Sequence, residues 1–248
     1  AGVHLPLLSF PTWFWDFDND GDLDFVQNGS DVTAVRRTWL YENTPAGFVL
    51  ISNPVNGMEP FVGSTSFDPT WVDFNNDGKI DLVGGSYEPG AIFLWFGDDA
   101  GNWKRAQRFR ISGDIRSLAT GDINNDGWLD IVSTSMGNTN GVQAWINENG
   151  RFGDPQPVSE KDLFDGLRLA DVNNDSNLDV IAANKTSVVK GGINIWLGTG
   201  KGNFIQESGP TRRNMYSDVE VGDFNNDGEI DIVGAAWGQD GGALKVWL

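Results

Sequence analysis

The sequence contains no cysteine and a single histidine, His4. The first absence excludes disulfides, thiolate metal sites and a cysteine nucleophile. The second leaves a zinc ion without its usual nitrogen ligands. Basic residues are also scarce, with 17 Lys and Arg against 35 Asp and Glu, a formal charge of -18 and a pI near 4.2. A polyphosphate would be repelled by such a chain, so nucleic acid is not an expected partner. No apolar run approaches the length of a membrane span, and no basic-then-apolar leader is present. The sequence starts at Ala1, and the expectation is a processed secreted protein or an excised domain, extracellular or periplasmic. Helical periodicity is nearly absent; only DLFDGLRL from Asp162 reads as one helical turn.

Apolar residues (39%) and eleven tryptophans supply ample material for a packed core. The acids are clustered. Roughly half of them fall in one nine-residue pattern that occurs five times: DFDNDGDLD from Asp16, DFNNDGKID from Asp73, DINNDGWLD from Asp122, DVNNDSNLD from Asp171 and DFNNDGEID from Asp223. The starts lie 57, 49, 49 and 52 residues apart, so five units of similar length fill the chain.

The surroundings repeat as well. A short extended run precedes each motif (TWFWD, TWVD, SLATGD, LRLAD, VEVGD), and an apolar, β-branched run follows it (DFVQ, DLVGG, DIVST, DVIAA, DIVGA). A third run ends near a tryptophan, Trp39, Trp95, Trp145, Trp196 or Trp247, always 22 to 25 residues after the first Asp of its motif. Such constancy marks a packing slot. A fourth run follows in four units: GFVLIS, GNWKRA, GRFGDP and GNFIQE. Four strands per unit at a regular period predict an all-β protein, a single β-propeller domain of five four-stranded blades over residues 1–248. The fifth unit lacks its outer strand, and Val3–Phe10 is expected to supply it, closing the ring and removing an open edge.

Positions 1, 3, 5 and 9 of the motif carry oxygen-bearing side chains, a pattern suited to Ca²⁺ and its six to eight hard oxygen ligands. The expected donors are Asp16, Asp18, Asp20 and Asp24 in the first loop and Asp73, Asn75, Asp77 and Asp81 in the second. The third loop offers Asp122, Asn124, Asp126 and Asp130, the fourth Asp171, Asn173, Asp175 and Asp179, and the fifth Asp223, Asn225, Asp227 and Asp231. Position 7 would contribute its backbone carbonyl, leaving the side chains of Asp22, Lys79, Trp128, Asn177 and Glu229 free to vary. Glycine at position 6 allows the positive φ that the loop needs; Ser176 breaks that pattern and marks the fourth site as strained or weaker. The alternative, that these residues only make turns, does not account for a terminal Asp five times over. Three or four carboxylates in one loop repel unless a cation is present, and five calcium ions would bring the formal charge from -18 to -8.

Motifs of the form DxDxDGxxD or DxNxDGxxD between two strands, with phrases such as IWLGTGKGNF downstream, resemble the FG-GAP or VCBS-type repeats of integrin alpha-subunit propellers and of many bacterial extracellular proteins. The resemblance covers all five units. It implies about five calcium ions in the loops between the first and second strands of each blade, and a ligand face at the opposite end. Integrin-type propellers have seven blades, so five units imply a smaller ring or a fragment, and the closing segment favours the former.

At the expected ligand face, six residues after each motif, the sequence varies: Ser30, Tyr87, Met136, Lys185 and Trp237. Tyr87 and Trp237 are candidates for stacking on sugars or anchoring a protein, or for merely covering neighbouring loops. Basic residues gather in KRAQRFR from Lys104, at Arg36 and Arg37, and at Arg212 and Arg213; they read as a solvated face or as a site for acidic polysaccharide. No GxSxG elbow or zinc motif is present, and Glu220 and Asp68 are the only carboxylates offered for glycoside chemistry. Asn28 and Asn184 each begin a glycosylation sequon. The functional expectation is an extracellular calcium-stabilised binding module for adhesion, lectin-like glycan recognition or assembly with protein, copies of itself included. The alternatives are a polysaccharide lyase or glycosidase on the same scaffold, or a self-assembling structural subunit.

Overall fold

A computed structural model of the chain describes residues 8–15, 20–30, 36–52, 70–86, 90–98, 103–111, 113–136, 141–187, 189–237 and 242–248. All regular structure among these residues is strand, and all pairing is antiparallel between sequence neighbours. The first sheet contains β1 (Leu8–Trp15), β2 (Asp24–Ser30), β3 (Arg36–Thr44) and β4 (Gly47–Ser52), and the second β5 (Thr70–Val72), β6 (Asp81–Ser86), β7 (Ala91–Gly97) and β8 (Trp103–Arg110). The third has β9 (Asp114–Gly121), β10 (Asp130–Met136), β11 (Val142–Trp145) and β12 (Gln156–Pro157), and the fourth β13 (Phe164–Ala170), β14 (Asp179–Asn184), β15 (Gly192–Gly198) and β16 (Phe204–Thr211). The fifth has β17 (Met215–Gly222), β18 (Asp231–Trp237) and β19 (Ala243–Trp247). Five meander sheets of three or four strands, one per repeat, are the blades of a propeller-type fold.

The chain divides into two compact units, residues 1–73 with 77–111, and residues 74–76 with 112–248. In the first unit an aromatic stack binds the first sheet together: Phe25 lies 5.5 Å from Phe14, 5.2 Å from Tyr41 and 5.7 Å from Phe48. In its second sheet Leu82, Val83, Ile92, Leu94 and Trp95 are buried.

In the second unit, consecutive sheets share cores. Val132, Val142 and Ala144 of the third sheet pack with Phe164, Leu167, Val180 and Trp196 of the fourth. Ile181, Ile193 and Ile195 on the other face of the fourth pack with Tyr216, Val219 and Ile232 of the fifth. A middle strand covered on both faces is apolar at successive positions rather than alternating, as Val180–Ala183 are in β14 (DVIAAN), every residue of which is buried. The tryptophan slot is core, with Trp95, Trp145 and Trp196 all buried and Trp196 edge-on to Phe164 at 5.5 Å.

Three expectations shift. The segment from Asp162 is no helical turn, because Phe164–Ala170 is strand. Its three-residue apolar spacing comes from a register irregularity between Phe164 and Leu167 that puts both side chains in the core. Leu8 and Ser9 pair with Ser30 and Gly29, so Leu8–Phe10 belong to the leading strand of the first sheet and not to a closing strand; the rest of the expected closing segment lies outside the described residues. GRFGDP forms no strand: Phe152 makes an isolated bridge to Asn147, and the outer strand follows at Gln156–Pro157.

Trp196→Ala would leave a large void between two sheets, and the expected loss is roughly 3–5 kcal/mol, read from the urea unfolding midpoint.

Candidate functional site

Four motif loops, 73–81, 122–130, 171–179 and 223–231, are described in full, and the first from Asp20 onward. Each opens at the end of a leading strand and closes on the first residue of the next, β6, β10, β14 or β18. In the loop from Asp122, that carboxylate accepts the N–H groups of Asp126 and Gly127 at 3.0 and 2.8 Å. Asn124 accepts from the Asp126 N–H, and Asp126 accepts from the Trp128 N–H at 2.8 Å. The loops from Asp171 and Asp223 repeat these bonds, and that from Asp73 repeats those of positions 1 and 5. The turn is made by two left-handed residues, Asn at position 4 (Asn76, Asn125, Asn174, Asn226) and Gly at position 6. Asparagine tolerates that region better than other side chains. Ser176 adopts it as well, at φ 67°, and its N–H reaches Asp171 at 2.7 Å, so the fourth loop keeps the shape of its neighbours at some strain.

Position 9 has a role the sequence did not reveal. Asp24, Asp81, Asp130, Asp179 and Asp231 are all buried. One oxygen of Asp130 accepts the Ile123 N–H at the start of its loop, and the other the Asn147 N–H just past β11. Asp179 does the same with Val172 and Gly198. Asp24 receives Asn43, Asp81 receives Gly97, and Asp231 receives Phe224. In the third and fourth sheets the carboxylate thus ties the loop, the second strand and the end of the third strand together. Burial pushes Asp130 up to about 6 against the pull of its two N–H donors, and the charges of Asp126 and Asp122 add to the rise. Asp179 is raised chiefly by burial too. At position 5 the opposite holds: Asp175 and Asp227 are held low, first by the position-7 N–H and then by the position-3 amide.

Successive loops also touch. The position-4 amide of Asn125 donates to Asn177 at 2.9 Å, that of Asn174 donates to Glu229 at 2.6 Å, and that of Asn76 reaches the Gly127 carbonyl at 3.5 Å. Side chains at position 7, expected to vary freely, are therefore acceptors for the preceding loop at Asn177 and Glu229. Asn147 adds a buried tie, donating to the Phe74 and Leu129 carbonyls.

Asp16, Asp18, Tyr87 and Asp68 lie outside the described residues. Among the described residues no three Asp, Glu, His or Cys side chains form a metal-holding group; each fully described loop carries two aspartates and one asparagine at positions 1, 3 and 5. Asn184 is buried, donates to Asp162 and accepts from the Thr186 N–H, so its sequon is no acceptor for sugar. Glu220 is clamped bidentately by Arg168, with Nε donating to Oε2 at 2.9 Å and NH2 to Oε1. That hydrogen bonding holds its carboxyl below the usual range.

At the strand ends away from the loops, four residues from three sheets meet. Lys185, just past β14, places Nζ 2.5 Å from Asp165 Oδ2 and 4.8 Å from the centre of the Trp237 ring. Arg116 of β9 approaches the other Asp165 oxygen at 3.5 Å. Trp237, the last residue of β18, is 59% exposed.

Repeated blades carrying an Asp–Asn loop between the first two strands define a class of repeat propeller proteins. The FG-GAP-like repeat profile matches residues 16–84, 73–133, 122–182 and 171–234, and the chain belongs to that family. A search among curated proteins finds no match. Among solved structures, the chain is similar to an Agrocybe aegerita lectin that recognises non-reducing terminal N-acetylglucosamine, with 18% identity, a TM-score of 0.62, and 97% of this chain and 66% of that one covered. It thus spans just under two thirds of that lectin. The N-terminal part of BBS1 in complex with ARL6 (11% identity, TM-score 0.44, 96% and 78% covered) and a rhamnogalacturonan lyase of Bacillus licheniformis (10% identity, TM-score 0.38, 96% and 60% covered) are more distant in shape.

Two outcomes are expected. Ser176→Gly relieves the left-handed serine and raises stability by about 1 kcal/mol, seen as a higher unfolding midpoint; an unchanged midpoint would show that the loop carries no strain there. For Glu220→Gln, the folded pKa of Glu220 lies below its ordinary 4.5, so the pair stabilises above that pH and the contribution disappears as pH falls through the folded value. The variant is therefore less stable at pH 7, by under about 1 kcal/mol because the pair is solvent-screened, and converges with the parent in acid melts.

Proposed function

We propose that the chain is an extracellular carbohydrate-binding module whose loops hold about five calcium ions and whose ligand site lies at the other end of the blades. The observation that carries the ligand class is Trp237, a large ring more than half in solvent beside a cation. Trp rings are used this way to stack on the apolar face of a sugar. The lectin's likeness in fold is consistent with it.

The loops suit a hard cation. Their donors are carboxylate and amide oxygens, and each oxygen that accepts an N–H bond keeps a second lone pair. Positions 1, 3 and 5, the position-7 carbonyl and the position-9 carboxylate would hold the ion, including Asp16 and Asp18 in the first loop. A bound divalent ion supplies the positive charge that lets neighbouring carboxylates stay ionised at close quarters. The residues do the positioning: Asp130 and Asp179 lock the loop to the sheet, and Asn125 and Asn174 fix one loop against the next. Binding is favoured over hydrolysis because Glu220 is neutralised by Arg168, which leaves it a poor proton donor.

EDTA is expected to lower the melting temperature by several degrees or more and calcium to restore it, while magnesium restores less. A glycan array run in calcium tests the ligand class: a selective signal supports the reading, and a blank array together with capture of a protein ligand overturns it.

A further inference from the structure

Between the third and fourth motif loops, one hydrogen bond joins residues that stand among the expected ion donors of both. Asn125, at position 4 of the third loop, donates its amide to the position-7 side chain of the fourth, Asn177, at 2.9 Å. Asn177 in turn bonds Asp175, the position-5 carboxylate of its own loop, through its main-chain N–H at 2.8 Å and through its side chain. Asn125 lies between Asn124 and Asp126, two expected donors of the third loop. The turn of one loop is thus linked to a donor of the next.

The connection from β15 to β16 rests on this contact. It is a tight turn closed by the Thr199 N–H on the Asn203 carbonyl at 3.0 Å. Gly200 within it is left-handed, at φ 65°, and a side chain there would strike both Asn177 Oδ1 and Asn125 Nδ2. On one flank Gly198 donates to Asp179, which closes the fourth loop, at 2.8 Å. On the other, buried Gly202 donates to the Ile123 carbonyl of the third loop at 3.2 Å, while the Ile123 N–H is held by Asp130. The turn is therefore bonded to both loops. Neighbouring links are weaker. The Trp128 side chain, at position 7 of the third loop, offers no acceptor, and the Asn76 amide reaches the Gly127 carbonyl instead, at 3.5 Å. Asn174 and Glu229 are both exposed, so water competes for their contact.

We infer that the third and fourth loops take up calcium as a coupled pair, with the Asn125–Asn177 contact under the Thr199–Asn203 turn as the coupling element. The inference rests on the calcium reading and adds how two of its sites are linked. On that reading the position-7 carbonyl is a ligand, so a loaded fourth loop fixes the backbone of Asn177 and with it the acceptor that Asn125 meets. Asn125 so held keeps the third loop in its left-handed turn, and Asn124 and Asp126 on either side of it are already placed. Ordering that both loops need is done once, and the second ion binds more tightly than the first. Coupling between two sites is reciprocal, so loading the third loop favours the fourth to the same degree.

Terbium, a hard cation that takes oxygen donors, gives a probe of the third loop, because Trp128 beside it would sensitise the ion's luminescence; the third-loop signal is the part lost in Trp128→Phe. The full chain stripped of metal is titrated with terbium, and in parallel with calcium by calorimetry. Asp175→Ala removes a donor from the fourth loop alone and is expected to weaken uptake at the third about fivefold, the scale of one hydrogen bond. In Asn125→Gly, where glycine keeps the left-handed turn and no donor oxygen is lost, adding Asp175→Ala should leave third-loop affinity unchanged. Should Asn125→Gly fail to fold, Asn177→Ala breaks the same contact from the other side and is read in the same way. Third-loop uptake indifferent to Asp175→Ala makes the loops independent and overturns the coupling with calcium binding intact, and so does a terbium signal that Trp128→Phe leaves whole. An effect of Asp175→Ala that persists once the contact is broken overturns Asn125–Asn177 as the coupling element. A parent that takes up neither ion removes the calcium reading itself.

Discussion

In every repeat a buried aspartate at the start of the second strand accepts a main-chain N–H group: Asp130, Asp179 and Asp231 from the loop behind them, and Asp24, Asp81, Asp130 and Asp179 from the third strand or the residues just past it. The rest of the structure depends on this constraint. A loop of nine residues with two left-handed positions has little reason to hold one shape on its own; closed by a buried carboxylate, it becomes part of the sheet. The cost is a desolvated charge. At Asp130 that cost shows as a carboxyl driven up to about 6, and it is offset by backbone donors in the free loop and, on the reading proposed above, by a divalent ion in the loaded one.

The same economy runs between repeats. Left-handed Asn125 and Asn174 leave their amides pointing at the next loop, where Asn177 and Glu229 accept them. A conformation needed to turn the chain thereby also joins two blades, so loop shape and blade packing are not separable features of the second unit. The cores formed by Leu167 and Trp196 on one side of the fourth sheet and by Ile181 and Ile195 on the other complete the join.

The two strand ends then diverge in chemistry. One end is committed to oxygen donors by the repeat and cannot vary without losing the brace. The other is free of that demand, and repeats differ there: Lys185 and Trp237 occupy the same slot of successive blades and meet each other. A rigid, repeated frame with a variable end is the arrangement by which a propeller acquires a ligand site.

From the sequence alone followed the blade count, the strand order within each blade, the loop motif and the buried tryptophans, because each is a local pattern repeated at fixed spacing. The period of the motif set the sheets, and the apolar, β-branched run after each motif marked the second strand. What lay beyond it needed contacts between residues far apart in the chain. Nothing local shows that Asp130 turns inward to Asn147, that Phe164 and Leu167 share a core across an irregular register, or that Arg168 disarms Glu220 from 52 residues away. The meeting of Arg116, Asp165, Lys185 and Trp237 belongs to the same group. Local pattern determines which strands form and where they turn; only the packing of one blade on the next decides which polar side chains end up face to face.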